Sequence, residues 1–216
     1  MSFNHKSLFT VIAVLSCTVF ASAQKDKVTG SVDMYKDFEV HLLESNKINV
    51  IPTLPPLDRP WGILVTGVGG TGVVTIGALL GMAAHLENKG VAVLDMTGLA
   101  QKGGSVYTHV RIAAKPEDIH AVRIAAGEAN ALLGCDMIVS TSDEAIAKMQ
   151  KGVTSGVVNA DVSPTGDFTK QPDLQIPVSG MEAVLHDALT HVEFVNATQL
   201  ATALLGDGIF TNPFLM

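Results

Sequence analysis

Short apolar runs, typical of strands buried in a sheet, alternate with longer helix-forming stretches from Trp61 onward. The runs that predict strands are Ile63–Thr66, Val91–Met96, Asp136–Thr141, Gly156–Asn159 and Val192–Val195. The stretches that predict helices are 72–89, 128–133, 142–149, 179–191 and 197–205. Because strands that alternate with helices favour parallel pairing, we predict an α/β fold with a mostly parallel sheet and helices on both faces.

Local signals mark the ends of several of these helices. Thr141, Ser179 and Asn196 each precede a Glu or Gln by three residues, which predicts side-chain caps at their N-termini. Gly90 predicts the C-terminal stop of the first helix. That helix, 72–89, is apolar nearly all round, which predicts burial against both a sheet and a neighbour.

One further strand, 106–112, alternates apolar and polar residues with a period of two. Tyr107, His109 and Arg111 fall on its more polar face. We predict that this face is solvated, with contact of His109 and Arg111 to a substrate or partner as the alternative.

A glycine-rich turn joins the first strand to the first helix, in the segment 62–74. A tight turn needs backbone angles or close approaches that a Cβ obstructs, at Gly67, Gly69 and Gly72 in particular. The free N–H groups and the positive dipole end of the helix then predict a site for a phosphate or another anion. Asp95 ends the second strand about 20 residues later, where dinucleotide-binding folds place a carboxylate on the ribose. The alternative is that the glycines only allow close helix–sheet packing and that Asp95 caps a loop.

The loop 97–104 also follows a strand, so both loops should lie at the carboxyl edge of the sheet, where α/β proteins bind ligands. We therefore predict that the two loops form one binding site. The candidate binding residues are Gly67, Gly69, Gly70, Gly72, Gln101, Lys102, Gly103 and Gly104.

Composition limits the other functions. The 216 residues are 47% hydrophobic, enough for one domain with a sizeable core. A net charge of −7 without a Lys/Arg cluster disfavours nucleic acid and acidic membranes as partners. Cys17 and Cys135 form no C-x-x-C pair, so each is predicted to be a small hydrophobe, and neither an iron–sulfur cluster nor structural zinc is expected. His186 and His191 lack the spacing of metal ligands.

The N-terminal part differs in character from the rest. Residues 1–24 resemble a secretory signal, with a 13-residue apolar run, Leu8–Phe20, too short for the ~20 residues of a bilayer span. Residues 25–60 are polar and end in a proline-rich stretch, which predicts an extended linker before a domain at 61–216. The alternative is a fortuitous leader on a mis-assigned start or a fused gene model. The apolar ending 211–216 predicts that this domain is truncated at its C-terminus.

Two segments carry a family resemblance. The run WGILVTGVGGTGVVTIGALLGMAAHLE at 61–87, with LDMTGLAQKGG at 94–104, resembles the gamma domain of 2-oxoacid:ferredoxin oxidoreductases, most closely the fused indolepyruvate ferredoxin oxidoreductase type. The segments 192–198 and 200–208 fit the same family. The likeness covers the chain from about residue 54 to the end and implies a Rossmann-like domain.

The resemblance implies an enzyme that oxidatively decarboxylates a 2-oxoacid, here an aryl pyruvate, to an acyl-CoA. It uses thiamine diphosphate and passes electrons through iron–sulfur clusters to ferredoxin. In that family the thiamine and the clusters belong to other domains or subunits, on which the gamma domain packs. The resemblance therefore implies that the chain alone is inactive, that the glycine turn and Gln101–Gly104 form a rim facing CoA or a neighbouring domain, and that the enzyme is cytoplasmic. The signal-like leader conflicts with that location and favours a fragment or fused gene model.

Two other functions stay open on the sequence. The turn physics alone fits a nucleotide-binding module of a nicotinamide-dependent enzyme, with Asp95 on a ribose. The leader alone fits an exported binding protein. The only Gly-Asp-Gly triplet, 206–208, ends too near the C-terminus for a thiamine motif and is interpreted as structural.

Overall fold

A computed structural model describes residues 56–97, 103–162 and 177–216. Its strands are β1 (Trp61–Val68), β2 (Gly90–Thr97), β3 (Ser105–Ala113), β4 (Ala131–Gly134), β5 (Ser155–Asn159) and β6 (His191–Val195). Its helices are α1 (Val73–Leu86), α2 (Met137–Ser140), α3 (Asp143–Ile146), α4 (Val178–Ala188), α5 (Ala197–Leu205) and α6 (Thr211–Leu215), with 3₁₀ turns at Pro116–Asp118 and Gly208–Phe210. The predicted leader 1–24 and all but the last five residues of the predicted linker 25–60 lie outside the described residues.

The strands form one six-stranded sheet in the order β2-β3-β1-β4-β5-β6. β1, β4, β5 and β6 run parallel to their neighbours in this series, whereas β3 is antiparallel to both β1 and β2. β2 and β3 follow one another through a short loop, and a short connection suffices only for antiparallel strands. The predicted mostly parallel sheet is confirmed, with β3 as the one reversed strand among those described.

Helices cover both faces, as predicted. On one face α1 packs over β1, β2 and β3, where a Cβ on Gly77 would collide with Thr108 of β3. On the other face Tyr107 of the same strand contacts Ser142 Oγ, at the start of α3, with its hydroxyl at 2.9 Å. The core on that second face includes Leu64, Leu132, Met137, Val158 and Leu185.

The predicted burial of α1 is confirmed on the side that faces the sheet, and its burial against a neighbour stays a prediction. Its sheet-facing side, which includes Ile76 and Leu80, is fully buried. Leu79, Met82 and Leu86 on its other side are 43%, 58% and 67% exposed. The helix therefore covers the sheet with one face and leaves apolar side chains on its surface.

The region 128–142 corrects two predicted elements. β4 overlaps the second half of the predicted helix 128–133, and the predicted strand 136–141 contains the short helix α2. Short apolar runs do not distinguish a buried strand from a buried helix. Here the neighbouring strands and a helix cap determine which element forms. Ala131–Gly134 fits between β1 and β5, while Asp136 accepts a hydrogen bond from Val139 N at 2.9 Å and so starts a helix.

Helix ends differ from prediction at four places. α1 ends at Leu86 and the chain turns at Asn88, whose φ is 56°; Gly90 lies in β2, where a Cβ would collide with the backbone of Lys115. The cap of α3 is Ser142 rather than Thr141, with Ser142 Oγ accepting from Ala145 N, and the helix ends at Ile146 rather than at residue 149. α4 starts after Pro177 without a side-chain cap and ends at Ala188. At α5, Asn196 is the cap residue, but its side chain makes no cap bond.

Candidate functional site

The glycine-rich turn connects β1 to α1 at the carboxyl edge of the sheet. Gly70 and Gly72 have φ of 90° and 94°, and a Cβ at either would meet no atom within 4 Å, so their backbone angles are the reason for glycine. At Gly67 the reason is close approach, because a Cβ would lie 2.6 Å from Val73 Cγ2 and 3.0 Å from Cys135 Cβ. The turn therefore packs the start of α1 closely against the end of β1 and leaves open space beside Gly70 and Gly72.

A backbone hydrogen bond joins this turn to the loop between β2 and β3. Gly69 N donates to Gly104 O at 2.8 Å, and a Cβ on Gly69 would lie 3.3 Å from that oxygen. Gly103, with φ of 95°, precedes this contact. The expectation that the two loops meet at one edge is confirmed for these glycines. Gln101 and Lys102 lie outside the described residues, and ligand binding by any of the eight candidates stays a prediction.

The turn has a second anchor, which the sequence analysis missed. Asn212 in α6 donates from Nδ2 to Thr71 O at 2.7 Å and lies 3.3 Å from Thr71 Oγ1. Thr71 Oγ1 in turn donates to Val68 O at 2.8 Å. Asn212 is only 3% exposed. No local sequence signal predicted this contact, because Asn212 lies 141 residues from Thr71, in the apolar segment 211–216.

The hydrogen-bond donors that this turn can offer to a ligand belong to the backbone. Gly69 N and Thr71 N already bond to Gly104 O and Val68 O, at 2.8 Å and 3.3 Å. The first helical acceptor is Gly72 O, which bonds to Ile76 N, so the N–H groups of residues 73–75 have no acceptor within the helix. Together with the positive end of the helix dipole, they are suited to an anionic group. The segment 67–74 contributes no charged side chain.

The predicted partner of the turn, Asp95, is not beside it. β3 lies between β1 and β2, so Asp95 sits on the edge strand of the sheet. Its Oδ1 accepts a hydrogen bond from Thr108 Oγ1 at 2.6 Å. In dinucleotide-binding folds the acidic residue ends the strand next to the glycine turn. The arrangement needed for a ribose contact is therefore not formed by these two elements.

The predicted solvated face of β3 is also wrong. His109 is 1% exposed and Arg111 is half-buried, because residues 119–130 fold back over them. His109 Nδ1 accepts from Ile124 N at 3.2 Å, which places its proton on Nε2, an atom with no hydrogen-bond partner among the described residues. Burial, reinforced by the charge of Lys148, lowers the pKa of His109 to about 4. The imidazole is therefore neutral at pH 7 and makes no contact with solvent.

Cys135 follows β4 at the same edge of the sheet and is buried, as predicted. Burial and the nearby charge of Asp136 raise the pKa of its thiol to about 12. Cys17 lies outside the described residues. Within 56–97, 103–162 and 177–216, no group of three or more His, Cys, Asp or Glu side chains has the arrangement of a metal site. No helix in these ranges is long and apolar enough to cross a bilayer.

Residues 62–216 match the sequence model of the family described as pyruvate ferredoxin/flavodoxin oxidoreductase. The indolepyruvate oxidoreductase subunit IorB of Methanothermobacter thermautotrophicus is 28% identical over 141 residues, which cover 65% of this chain and 68% of that protein. IorB of Thermococcus kodakarensis is 34% identical over 80 residues, which cover 37% of this chain and 38% of that protein. The match thus spans little more than a third of the second relative.

Two solved structures are similar to this chain at low sequence identity. The 2-oxoglutarate:ferredoxin oxidoreductase from Magnetococcus marinus, solved with 2-oxoglutarate, coenzyme A and succinyl-CoA bound, gives a TM-score of 0.50 at 18% identity. The alignment covers 72% of this chain and 23% of that one. A pyruvate oxidoreductase subunit, PORC, from Thermotoga maritima gives 0.49 at 19% identity over 73% and 74% of the two chains. The first of these supports the α/β architecture described above.

Proposed function

The chain belongs to the pyruvate ferredoxin/flavodoxin oxidoreductase family, and we propose that it is the gamma-type component of a thiamine-diphosphate-dependent 2-oxoacid:ferredoxin oxidoreductase. Its sequence resemblance to that family is confirmed. The IorB relatives support an aryl pyruvate such as indolepyruvate as the substrate of the assembled enzyme. In that enzyme, thiamine diphosphate would decarboxylate the 2-oxoacid, iron–sulfur clusters would carry the electrons to ferredoxin, and coenzyme A would take the acyl group.

The described residues do not fit two of these groups. A cluster needs several accessible thiolates, and Cys135 is a single buried thiol whose pKa is about 12. The triplet 206–208 is part of a helix end, with Asp207 Oδ1 accepting from Ile209 N at 2.9 Å. We therefore assign thiamine and cluster binding to other domains or subunits of the same enzyme.

We propose the glycine turn as the site for coenzyme A, and the geometry of the turn carries this proposal. The turn is held from two sides, by Gly69 to Gly104 and by Thr71 to Asn212, so its backbone is preorganised. A Cβ on Gly70 or Gly72 would meet no atom within 4 Å, and the N–H groups of residues 73–75 have no acceptor within the helix. A phosphate of coenzyme A, or an acidic group of the neighbouring domain, would accept from these donors. The chain would bind and orient, and no side chain on this rim would break a bond.

The experiment is a reconstitution. The full chain is assayed alone and together with the thiamine- and cluster-bearing components of its source organism, with indolepyruvate, coenzyme A and a viologen as electron acceptor. We expect no turnover by the chain alone and coenzyme-A-dependent turnover by the assembly. Turnover by the isolated chain would contradict the noncatalytic role.

A matched pair of variants tests the coenzyme A site. Gly70→Ala narrows the open space at the turn, whereas Gly152→Ala introduces the same substitution at a remote glycine with φ of 88° and equally open surroundings. We expect Gly70→Ala to raise the KM for coenzyme A about tenfold, or roughly 1.4 kcal/mol of binding. Gly152→Ala should leave that KM unchanged. Equal values for the two variants would exclude the turn as the coenzyme A site and leave the family assignment intact.

A further inference from the structure

The outer face of α1 carries apolar side chains and no Asp, Glu, Lys or Arg. None of these four residue types occurs from Val73 to Leu86, and Leu79, Met82 and Leu86 are exposed. At 100° per residue the exposed positions of α1 span about 140° of its circumference, with Met82 near the middle. A surface helix usually carries charged residues on that side, as α4 does with Asp187. The composition of α1 is therefore typical of a helix that is covered by protein on both sides.

Two further apolar residues extend this face at the N-terminal end of the helix. Ile209 and Phe210 are exposed and lie in the 3₁₀ turn that leads into α6. α6 contacts both α1 and β5, so it lies on the side of α1 away from β2. Because Asn212 is bonded to Thr71, just before α1, the residues that precede α6 lie beside the start of α1. We call one set of six exposed side chains the apolar patch: Val74, Leu79, Met82, Leu86, Ile209 and Phe210.

The apolar patch is as large as one side of a protein–protein interface. An extended chain exposes roughly 1.45 Å² per dalton, or about 160 Å² for a leucine. Thr75, Ala78 and His85 lie between the six apolar side chains and are also exposed. From the exposed fractions of these residues, the patch has an accessible area on the order of 700 Å². The largest apolar patches on monomers are about 300–600 Å². Two such patches together would bury roughly 1,400 Å², which is within the range of specific, stable interfaces.

We propose that the chain forms a dimer in which the apolar patches of two copies pack on each other about a two-fold axis. The two most exposed side chains of the patch are Leu86, at 67%, and Ile209, at 69%. They lie at opposite ends of the patch, because Leu86 ends α1 about 18 Å from the start of the helix. A two-fold axis between Leu79 and Met82 pairs the α1 helices antiparallel. Leu86 of each copy then packs against Ile209 and Phe210 of the other, so each patch covers the protruding residues of its partner.

The charge of the chain favours the same surface. The full chain has a net charge of −7, so two copies repel each other wherever their acidic surfaces approach. The apolar patch contains no acidic side chain, and the two-fold axis opposes it to an identical patch. The centre of the interface is therefore free of like-charge contacts, and depletion of charge is what distinguishes the centres of protein interfaces.

The test measures the mass of the full chain as a function of its concentration. Sedimentation from about 1 to about 200 µM gives the dimer affinity, and hydrogen exchange at both ends of this range reports the amides of 74–86 and 209–212. Leu79→Glu places a charge inside the patch in both copies. Val184→Glu, in α4 on the other face of the sheet, is the matched control, because Leu79 and Val184 are 43% and 44% exposed. Met82→Gln removes an apolar side chain from the centre of the patch without adding a charge, and urea titrations check that all three variants are folded.

We expect a dimer that Leu79→Glu weakens at least tenfold, that Met82→Gln also weakens and that Val184→Glu leaves unchanged, with slower exchange of 74–86 and 209–212 at high concentration. Because the contact is apolar, about 0.5 M NaCl should leave its affinity unchanged or increase it. A monomer at all concentrations, equal effects of Leu79→Glu and Val184→Glu, or a dimer that salt weakens would each overturn the proposal. Protection of these residues only on addition of the thiamine- and cluster-bearing components would also overturn it and would assign the patch to those components.

Discussion

Asn212 Nδ2 donates to the carbonyl oxygen of Thr71 at 2.7 Å and so joins α6 to the glycine turn across 141 residues of chain. The contact is almost fully buried on the side of Asn212. Thr71 itself is exposed, so water can replace a lost donor at its carbonyl, and the contact contributes the roughly 0.5–1.5 kcal/mol of an ordinary hydrogen bond. The shape of the candidate rim thus depends on a residue from the last helix.

Removing this donor should destabilise the protein. Asn212→Ala removes the donor to Thr71 O, so we expect the free energy of unfolding to fall by about 0.5–1.5 kcal/mol in urea titrations. Asn212→Asp, which keeps the size but cannot donate, should behave similarly. Asn196→Ala is the control, because the Asn196 side chain makes no cap bond to α5. An Asn212→Ala protein as stable as the Asn196→Ala protein would show that the contact contributes nothing.

Acid should destabilise the native state through His109. Its pKa is lowered from 6.5 to about 4 in the folded protein, so the unfolded chain binds a proton that the native state does not. Stability is therefore fully present above pH 6.5 and declines as the pH falls to about 4, by on the order of 3 kcal/mol from this group. Urea titrations between these pH values measure the decline.

A variant assigns this pH dependence. In His109→Gln the side chain still has an acceptor for Ile124 N but no longer titrates, so the decline should become shallower. His85→Gln, which removes an exposed imidazole, controls for the loss of a histidine elsewhere. An unchanged slope in His109→Gln would mean that other groups cause the acid sensitivity.

Cys135 should resist alkylation in the native state. Its thiol is buried and its pKa is about 12, so little thiolate is present or accessible at pH 8. In a Cys17→Ser background, we expect iodoacetamide to modify Cys135 at least about 100-fold more slowly in the folded than in the urea-unfolded protein. Similar rates in both states would place Cys135 at an accessible, activated site, contrary to its role as a core residue.

Two helical glycines should respond to alanine in opposite directions. At Gly77 a Cβ would collide with Thr108, so Gly77→Ala should lower the free energy of unfolding by about 1–3 kcal/mol despite the better helix propensity. Gly180 in α4 is exposed, and its nearest neighbour would be Pro177 Cβ at 3.7 Å. Gly180→Ala should therefore stabilise the protein by about 0.5–1 kcal/mol. Thermal and urea unfolding of both variants would reveal the difference in sign.

The sequence determined those features that depend on neighbouring residues. The strand, turn and helix at 61–86 were predictable because the glycines that shape the turn lie within this segment. β5, β6 and α5 were predictable from the apolar and polar residues within each of their own segments. The meeting of Gly69 with Gly104 was predictable from one general rule, that successive strand ends share an edge. The family was likewise readable from the contiguous run at 61–104.

Features that depend on contacts between residues distant in sequence were set only by the tertiary structure. The insertion of β3 between β1 and β2 moved Asp95 to the sheet edge, and no local pattern encodes strand order. The fold-back of 119–130 buried His109, although its period-two position reads as solvated. The predictions for β4 and α2 were wrong because a short apolar segment can form either a strand or a helix. Pairing with β1 makes one segment a strand, and the cap by Asp136 makes the other a helix. The hydrogen bond from Asn212 to Thr71 was not predictable either, because burial and hydrogen-bond satisfaction are properties of the folded chain.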